Sequence, residues 1–383
     1  MVSDLTLVDL LDVAGTCRGG ADRGVRSLRV VTWNANMAVH QKLDALGSLA
    51  PDVAIIPECS DRDTLSRRYP ALSERVSSMV WVGANPNKGL AVFTFGLLLP
   101  LSEIRSPLFG SALVSAGFAV GGGVIAGSAA AAELLAESAW RLAGELGCPT
   151  LELRGGCVPA GFTAREHIYA GFARDLPARE EAILKAIPRK QRAEVRRAQG
   201  LGLDCTIGRG DTERLAHRLV YAESVRNLGT PVFPRRLFSA MLDAFGDDAD
   251  ILTISEQGRP LASVLSFYFK GTVYPYWGGG TRQARAVRAN ELLYFELMRH
   301  AAARGCTRFD FGRSKLGTGA YAYKKNWGFD PQPLTYAVRT ADGIPPREIN
   351  PLDPKYRLQI ALWRKLPLWL ANRLGPPIAR GLG

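Results

Sequence analysis

The chain lacks any C-x-x-C pair: its six cysteines, Cys17, Cys59, Cys148, Cys157, Cys205 and Cys306, are scattered. That argues against a disulfide framework or a zinc site and for a reducing compartment. No secretory leader is expected, because Asp4, Asp9 and Asp12 stand among the apolar residues of the N-terminus; a cytoplasmic protein is expected. Charge is absent from Ser106 to Ala132, a length that raises the question of a membrane span. The stretch is filled with Gly and Ala, including Gly121-Gly122-Gly123, so buried strands and a glycine-rich turn are the better account and no transmembrane helix is expected.

What is present is basic and unevenly spread. Of 383 residues, 48 are Lys or Arg and 36 Asp or Glu. Residues 1–96 hold ten of each sign, so the net charge of +12 belongs wholly to the rest. Such asymmetry points to an anionic partner of the second part: tRNA, a nucleotide-linked substrate or an acidic membrane surface. The length suits two or three domains.

Residues 1–27 read as a short helix and a flexible linker. Leu28–Asn36 and Asp52–Ile56 read as strands around a helix at 41–49, with further strands at 78–82 and 90–95 joined by the turn Asn85-Pro86-Asn87-Lys88-Gly89. This succession resembles the start of the endonuclease/exonuclease/phosphatase fold. The resemblance implies Asn34 and Glu58 as hard oxygen ligands of a magnesium ion. That family also needs a late Asp-His pair and an Asp-x-Asn motif. None of His40, His167, His217 and His300 follows an Asp near the C-terminus. Residues 28–96 are therefore read as a fragment, with a Mg-dependent phosphodiesterase as an alternative function and no metal in the main reading.

From Leu97 the character changes. Leu97–Leu101 reads as a strand, Ala130–Leu146 as a helix stopped by Gly147, and Thr150–Leu153 and His167–Phe172 as strands. The segment 187–199 reads as a helix with Pro188 in its first turn. On it Arg189, Arg192 and Arg196 share one face, either a solvated surface or a phosphate contact. Helices follow at 215–225 and 236–245, around a Gly- and Pro-framed turn that includes Arg226 and Asn227. Next come strands at 251–255, 261–269 and 272–277, the last carrying Tyr276 and ending in Gly278-Gly279-Gly280. Asn290 is the expected cap of a helix to Arg304, and Arg308–Phe311 the next strand. This β-β-β-α-β order is that of the GNAT acyltransferase fold, in which neighbouring parallel strands splay and donor and acceptor meet in the gap.

That last strand delivers the densest stretch, Phe309 to Phe329. Four glycines there interleave with Arg313, Lys315, Lys324, Lys325, Tyr321, Tyr323 and Trp327. Cations on a flexible aromatic loop suit an anionic partner or a developing oxyanion; a basic surface loop with its aromatics in the core is the equal alternative. Finally, 346–383 is basic and proline-punctuated, and either lies on an anionic membrane surface or packs on the body.

Residues 187–192, 224–231, 309–315 and 317–329 together resemble the FemAB-like acyltransferases, most closely the group associated with exosortase/PEP-CTERM and exopolysaccharide systems. The resemblance implies an α/β (α+β) chain with tandem GNAT-like domains, the first incomplete (97–200), the second at 201–345. It implies transfer of an aminoacyl or acyl group to an amine of an envelope precursor. Tyr323-Lys324 with Gly328 matches the family's aromatic-Lys-Gly pattern, giving Lys324 the tetrahedral oxyanion, with Lys325 its rival and Asp310 to orient the amine or act as base. Substrate contacts are expected from Arg189, Arg192, Arg196, Arg226, Asn227, Tyr276, Arg313, Lys315, Tyr321, Tyr323, Lys325 and Trp327. No tightly bound cofactor is expected. The donor stays open between aminoacyl-tRNA and acyl-CoA, since the CoA pyrophosphate signature is not evident after Leu261–Phe269.

Overall fold

The computed structural model describes residues 5–8, 30–33, 53–60, 62–69, 78–85, 88–94, 97–126, 129–347 and 353–382. They divide into two compact units, Met1–Pro100 with Gly122–Ala139, and Leu101–Gly121 with Trp140–Gly383. In the first, β1 (Leu5–Val8), β2 (Val30–Trp33), β3 (Val53–Cys59), β4 (Ser78–Asn85) and β5 (Lys88–Thr94) form a sheet in the order β1-β2-β3-β5-β4. Among the described residues, only β2 and β3 of this sheet pair in parallel. Helix α1 (Arg62–Arg68) follows β3, and Ala54, Ile56, Cys59 and Leu65 are buried. The helix expected at 41–49 lies outside the described residues. The strand expected at 97–101 is instead a short β6 (Leu97–Leu98), which pairs with β9 (Ile125–Ala126).

The second unit is built on one long sheet. Its elements in chain order are β7 (Leu101–Ser106), β8 (Gly110–Ser115), then, past α2 (Ala129–Glu145), β10 (Thr150–Arg154), β11 (Thr163–Asp175), α3 (Glu180–Ala186) and α4 (Arg189–Gln199). There follow β12 (Asp204–Gly208), α5 (Asp211–Leu228), α6 (Arg235–Phe245), β13 (Ala249–Glu256), β14 (Arg259–Phe269), β15 (Thr272–Gly280) and α7 (Ala289–Ala303). The chain closes with β16 (Arg308–Lys315), α8 (Gly319–Asn326), β17 (Gln332–Thr340), α9 (Pro354–Lys365) and α10 (Leu368–Ala379). The ten strands run β12-β13-β14-β15-β16-β11-β17-β10-β8-β7. Thus β11, from before residue 200, lies between β16 and β17, and the two halves of the sequence share one sheet.

The central strands read as unbroken apolar runs because both faces are covered. Leu252, Ile254, Val264 and Val273 pack with α4 and α7 residues such as Val195, Leu293 and Leu297. The alternate residues Ile251, Leu265, Phe267 and Trp277 pack with Tyr221, Val225, Phe238 and Leu242 of α5 and α6. Helix α5 stops at Gly229, whose φ of 83° is left-handed. A Cβ there would stand 2.5 Å from Ile360 Cγ2, so glycine also lets α9 lie close. Arg364 donates to the Leu228 carbonyl and Arg226 to the Arg364 and Leu366 carbonyls. The C-terminal segment therefore packs on the body, while Leu358, Leu362 and Trp369 of its outer face stay exposed.

Further expectations are corrected, and where a short helix was expected within residues 1–27, Leu5–Val8 is the strand β1. The stretch from Phe309 to Phe329 is not a flexible loop but a strand, a turn and a helix. Thr318 caps α8 by accepting the Tyr321 N–H, and Gly328 (φ 77°) follows its end. Asn290 does not cap α7: Arg288, at φ 58°, precedes the helix. Asn290 instead lies over Gly280, where a Cβ would sit 2.4 Å from its Oδ1.

Candidate active site

Strands β15 and β16 run parallel but pair at only two positions, Thr272 with Arg308 and Val273 with Phe309. Beyond Val273 they part, while β15 stays paired with β14 up to Gly280. On its other edge β16 carries a bulge. Gly171 opposes Arg313 and Ala173 opposes Asp310, so three residue steps of β16 match two of β11. Gly312 takes the left-handed conformation (φ 67°) that the extra residue needs.

Two charged side chains satisfy the bulge. Asp310 Oδ1 accepts the Gly312 N–H at 2.7 Å. Lys324 Nζ, from α8, donates to the carbonyls of Phe311 (2.7 Å), Arg313 (2.9 Å) and Gly312 (3.3 Å). An ammonium has three donors, and all three are used. Burial pushes the Lys324 pKa down to about 8, against the pull of Asp310. Burial likewise raises the Asp310 pKa, opposed by the Gly312 N–H and then by Arg308 and Lys324. Helix α8 is itself pinned, because Arg174 donates to the carbonyls of Trp327, Gly328 and Ala186 and lies over the Phe329 ring.

The segment after β8 meets both walls of the gap. Tyr276 on β15 donates its hydroxyl to the Phe118 carbonyl at 3.1 Å. A Cβ on Gly312 would lie 3.4 Å from Val120. Phe118 (φ 64°) sets its ring edge-on to Phe233.

Two cavities flank these strands. One of about 350 Å³ lies at the end of β15, lined by Gly278–Gly280, Ser224, Asn227, Asn290, Tyr294, Tyr323, Arg282, Arg285 and Arg364, with no carboxylate. The glycines are obligatory, since a Cβ on Gly278 would meet Tyr294 Oη at 2.8 Å and one on Gly279 Ser224 Oγ at 2.5 Å. Three arginines beside the start of α7 suit a phosphate. The other cavity, of about 500 Å³, is lined by Arg313 and Lys315 of β16, Glu152 and Arg154 of β10, Arg165 and Tyr169 of β11, Tyr336 of β17, and Arg347. It is also lined by Tyr356, Ile360 and Trp363 of α9 with Leu228, Pro231 and Ile378.

The structure thus gathers part of the expected set. Lys324 and Asp310 hold the bulge, Tyr276 walls the gap, Asn227 and Tyr323 line the smaller cavity, and Arg313 and Lys315 the larger. Arg226 ties α5 to α9. Arg192 donates to the Ile187 carbonyl, and Arg189 and Arg196 are exposed; none of the three lines either cavity. Trp327 is 0 % exposed in the core, Tyr321 packs edge-on against Phe172, and Lys325 lies over the Tyr321 ring. Asn34 lies outside the described residues, and among those described no cluster of His, Cys, Asp or Glu could hold a metal. Arg282, Arg285, Arg154, Arg165, Arg347 and Tyr336 were not anticipated. A signal existed for some: Glu152 with Arg154, and Arg313 with Lys315, are charged residues spaced by two on a strand, which puts each pair on one face.

Comparison with known proteins fits this geometry. Residues 186–325 match the family described as acetyltransferase (GNAT) domain. No curated protein matches the chain. Among solved structures the chain is similar to FemX (14% identity, TM-score 0.46, covering 67% of this chain and 87% of that one). It is similar to the C-terminal domain of a putative lysylphosphatidylglycerol synthetase from Agrobacterium fabrum (12%, 0.45, 64% and 82%). It is also similar to L-PGS from Bacillus licheniformis (14%, 0.44, 70% and 86%). Family match and strand order together give residues 186–325 the GNAT-type acetyltransferase fold.

Proposed function

We propose that the chain is a FemAB-like N-acyltransferase that moves an aminoacyl or other acyl group to an amine of a cell-envelope or exopolysaccharide precursor. The observation that carries this reading is the two-residue pairing of β15 and β16. Past it the two strands part, and an extended donor would lie in the gap as a further strand does. The amine nitrogen attacks the donor carbonyl, the carbonyl carbon's bond to the ester oxygen or thioester sulfur breaks, and the proton the amine gives up ends on the departing hydroxyl or thiol. Lys324 serves the site as a positioning residue. It fixes the carbonyls of Phe311–Arg313, and to meet an oxyanion it must exchange one of them. Arg282, Arg285 and Arg364 fit the phosphates of either donor, and the exposed Arg189 and Arg196 would extend the track for a tRNA.

The sequence likeness to the exosortase/PEP-CTERM group supports an acceptor from that machinery. Exposed Leu358, Leu362 and Trp369, beside Arg357 and Lys365, support peripheral contact with an anionic membrane from the cytoplasmic side. The test is transfer of a labelled acyl group, from aminoacyl-tRNA and from acyl-CoA in parallel, to an amino sugar and a lysyl peptide. Transfer from one donor that is lost on Arg282→Ala with Arg285→Ala supports the reading. No transfer from either donor to either amine sinks it.

A further inference from the structure

The chain that leaves β8 crosses the β15/β16 gap. Ala112–Ser115 of β8 are buried, whereas every residue from Ala116 to Gly121 is at least partly exposed. On one wall, the Tyr276 hydroxyl of β15 donates to the Phe118 carbonyl at 3.1 Å. Burial raises the Tyr276 pKa, and a hydrogen bond with the Val120 backbone opposes that rise. On the other wall, a Cβ on Gly312 of β16 would stand 3.4 Å from Val120 Cγ2. The last pair joining the two strands is Val273 with Phe309, and Tyr276 and Gly312 each lie three residues beyond it. Residues 118–120 therefore bridge the gap just past the point where it opens. The Phe118 ring lies edge-on to Phe233 at 5.1 Å, and Phe233 packs on the core beneath α5 and α6. The bridge thus covers the gap on that face.

The bridge is lightly held. Its sequence, Ala-Gly-Phe-Ala-Val-Gly, carries no charge, so no ion pair fastens it. Ala116 (φ 46°) and Phe118 (φ 64°) take the left-handed conformation that side chains disfavour, a strain released when the turn opens. At the base, the Gly117 N–H donates to Ser102 Oγ at 3.1 Å, and a Cβ there would stand 2.8 Å from Ser102 Cβ, so this end stays on β7. At the far end Gly121 (φ 79°) has open space where a Cβ would be, and its backbone is free to pivot. A hydroxyl latch and an aromatic edge contact stand against two strained residues. Such a balance suits an element with two positions.

We infer that residues 116–121 are a gate over the β15/β16 gap, latched by the Tyr276 hydroxyl and the Phe118 ring, which swings away before donor carbonyl and amine meet. The structure shows it closed. Its part in transfer rests on the transferase reading; the motion itself does not.

Amide hydrogen exchange on the full chain without ligand tests the motion, comparing wild type with Tyr276→Phe, which removes the latch and keeps the ring. Losing one such hydrogen bond shifts the open population roughly two- to tenfold. Exchange should rise by about that factor at residues 117–121 and also at 310–313, on the opposite wall. Phe118→Ala, which frees the other anchor, should act in the same direction. A rise confined to 117–121 in variants that melt as wild type does means a local contact and overturns the gate. The second arm is affinity for a CoA thioether and for a non-hydrolysable aminoacyl-tRNA analogue. A ligand that needs the open state binds more weakly by the open fraction. Both variants should therefore bind the ligand of the gap roughly two- to tenfold tighter than wild type, whereas loss of a mere wall contact would weaken it. Unchanged or weaker affinity in both folded variants overturns the gate as a control on transfer. If neither probe binds any of the three proteins, the transferase reading fails, and exchange at 310–313 still decides the gate.

Discussion

Replacing Lys324 by Met keeps the length of the side chain and removes the ammonium that holds three carbonyls. Charge-assisted hydrogen bonds contribute about 1.5–3 kcal/mol each, so three amount to roughly 5–9 kcal/mol. Against this stands the cost of burying the charge. The fall of the pKa from 10.5 to about 8 corresponds to roughly 3 kcal/mol against the protonated form. The net destabilisation expected at pH 7 is therefore about 2–6 kcal/mol, read from urea unfolding followed by tryptophan emission. The pH dependence has a definite sign. Between pH 8 and 10.5 the folded chain has lost the Lys324 proton while the unfolded chain keeps it, so stability from this group rises with pH in that window. From pH 8 to about 9.5 the gap between wild type and Lys324→Met should widen by roughly 2 kcal/mol. Lys324→Arg keeps its charge through this range and should lack the effect. A Lys324→Met protein as stable as wild type, with a gap indifferent to pH, would refute the idea that this ammonium clamps the bulge.

Other outcomes follow from single contacts. Gly278→Ala should cost about 1–3 kcal/mol, because its Cβ would meet Tyr294 Oη at 2.8 Å, and Tyr294→Phe in the same chain should recover part of the loss in a thermal melt. Asp250, buried, accepts from the Tyr268 hydroxyl at 2.8 Å, pairs with His300 Nε2 at 2.7 Å and lies 3.7 Å from Arg304. Asp250→Ala should therefore destabilise by about 3–5 kcal/mol. It should leave the KM for donor unchanged, since this cluster lines neither cavity; a raised KM in protein shown to be folded would count against that separation.

Much of the second half was legible because its elements announce themselves locally. Apolar runs bounded by Gly and Pro give strands at 251–255, 261–269 and 272–277, and the structure extends these to Ala249–Glu256, Arg259–Phe269 and Thr272–Gly280. Helix α8 was hidden because two flanking glycines and a cluster of aromatics resemble a loop; Thr318 and Gly328 were the overlooked boundary signals. The position of β11 between β16 and β17 could not be read, since it depends on pairings such as Ala173 with Asp310, far apart in sequence. The same reason conceals the larger cavity, whose charged residues come from separate strands and only converge through sheet order. Lys324 was singled out from the sequence by its aromatic and glycine neighbours. Its partners were not, because the bulge that presents three carbonyls exists only once β16 pairs with β11.

The central claim is that the gap between β15 and β16 receives the acyl donor. Amide hydrogen exchange tests it most directly, comparing the free chain with the chain plus a non-hydrolysable aminoacyl-tRNA analogue and, separately, a CoA thioether. The account predicts slowed exchange at the amides of residues 274–280 and 310–315 with one of the two. Protection by neither, or protection confined to other elements, would contradict it.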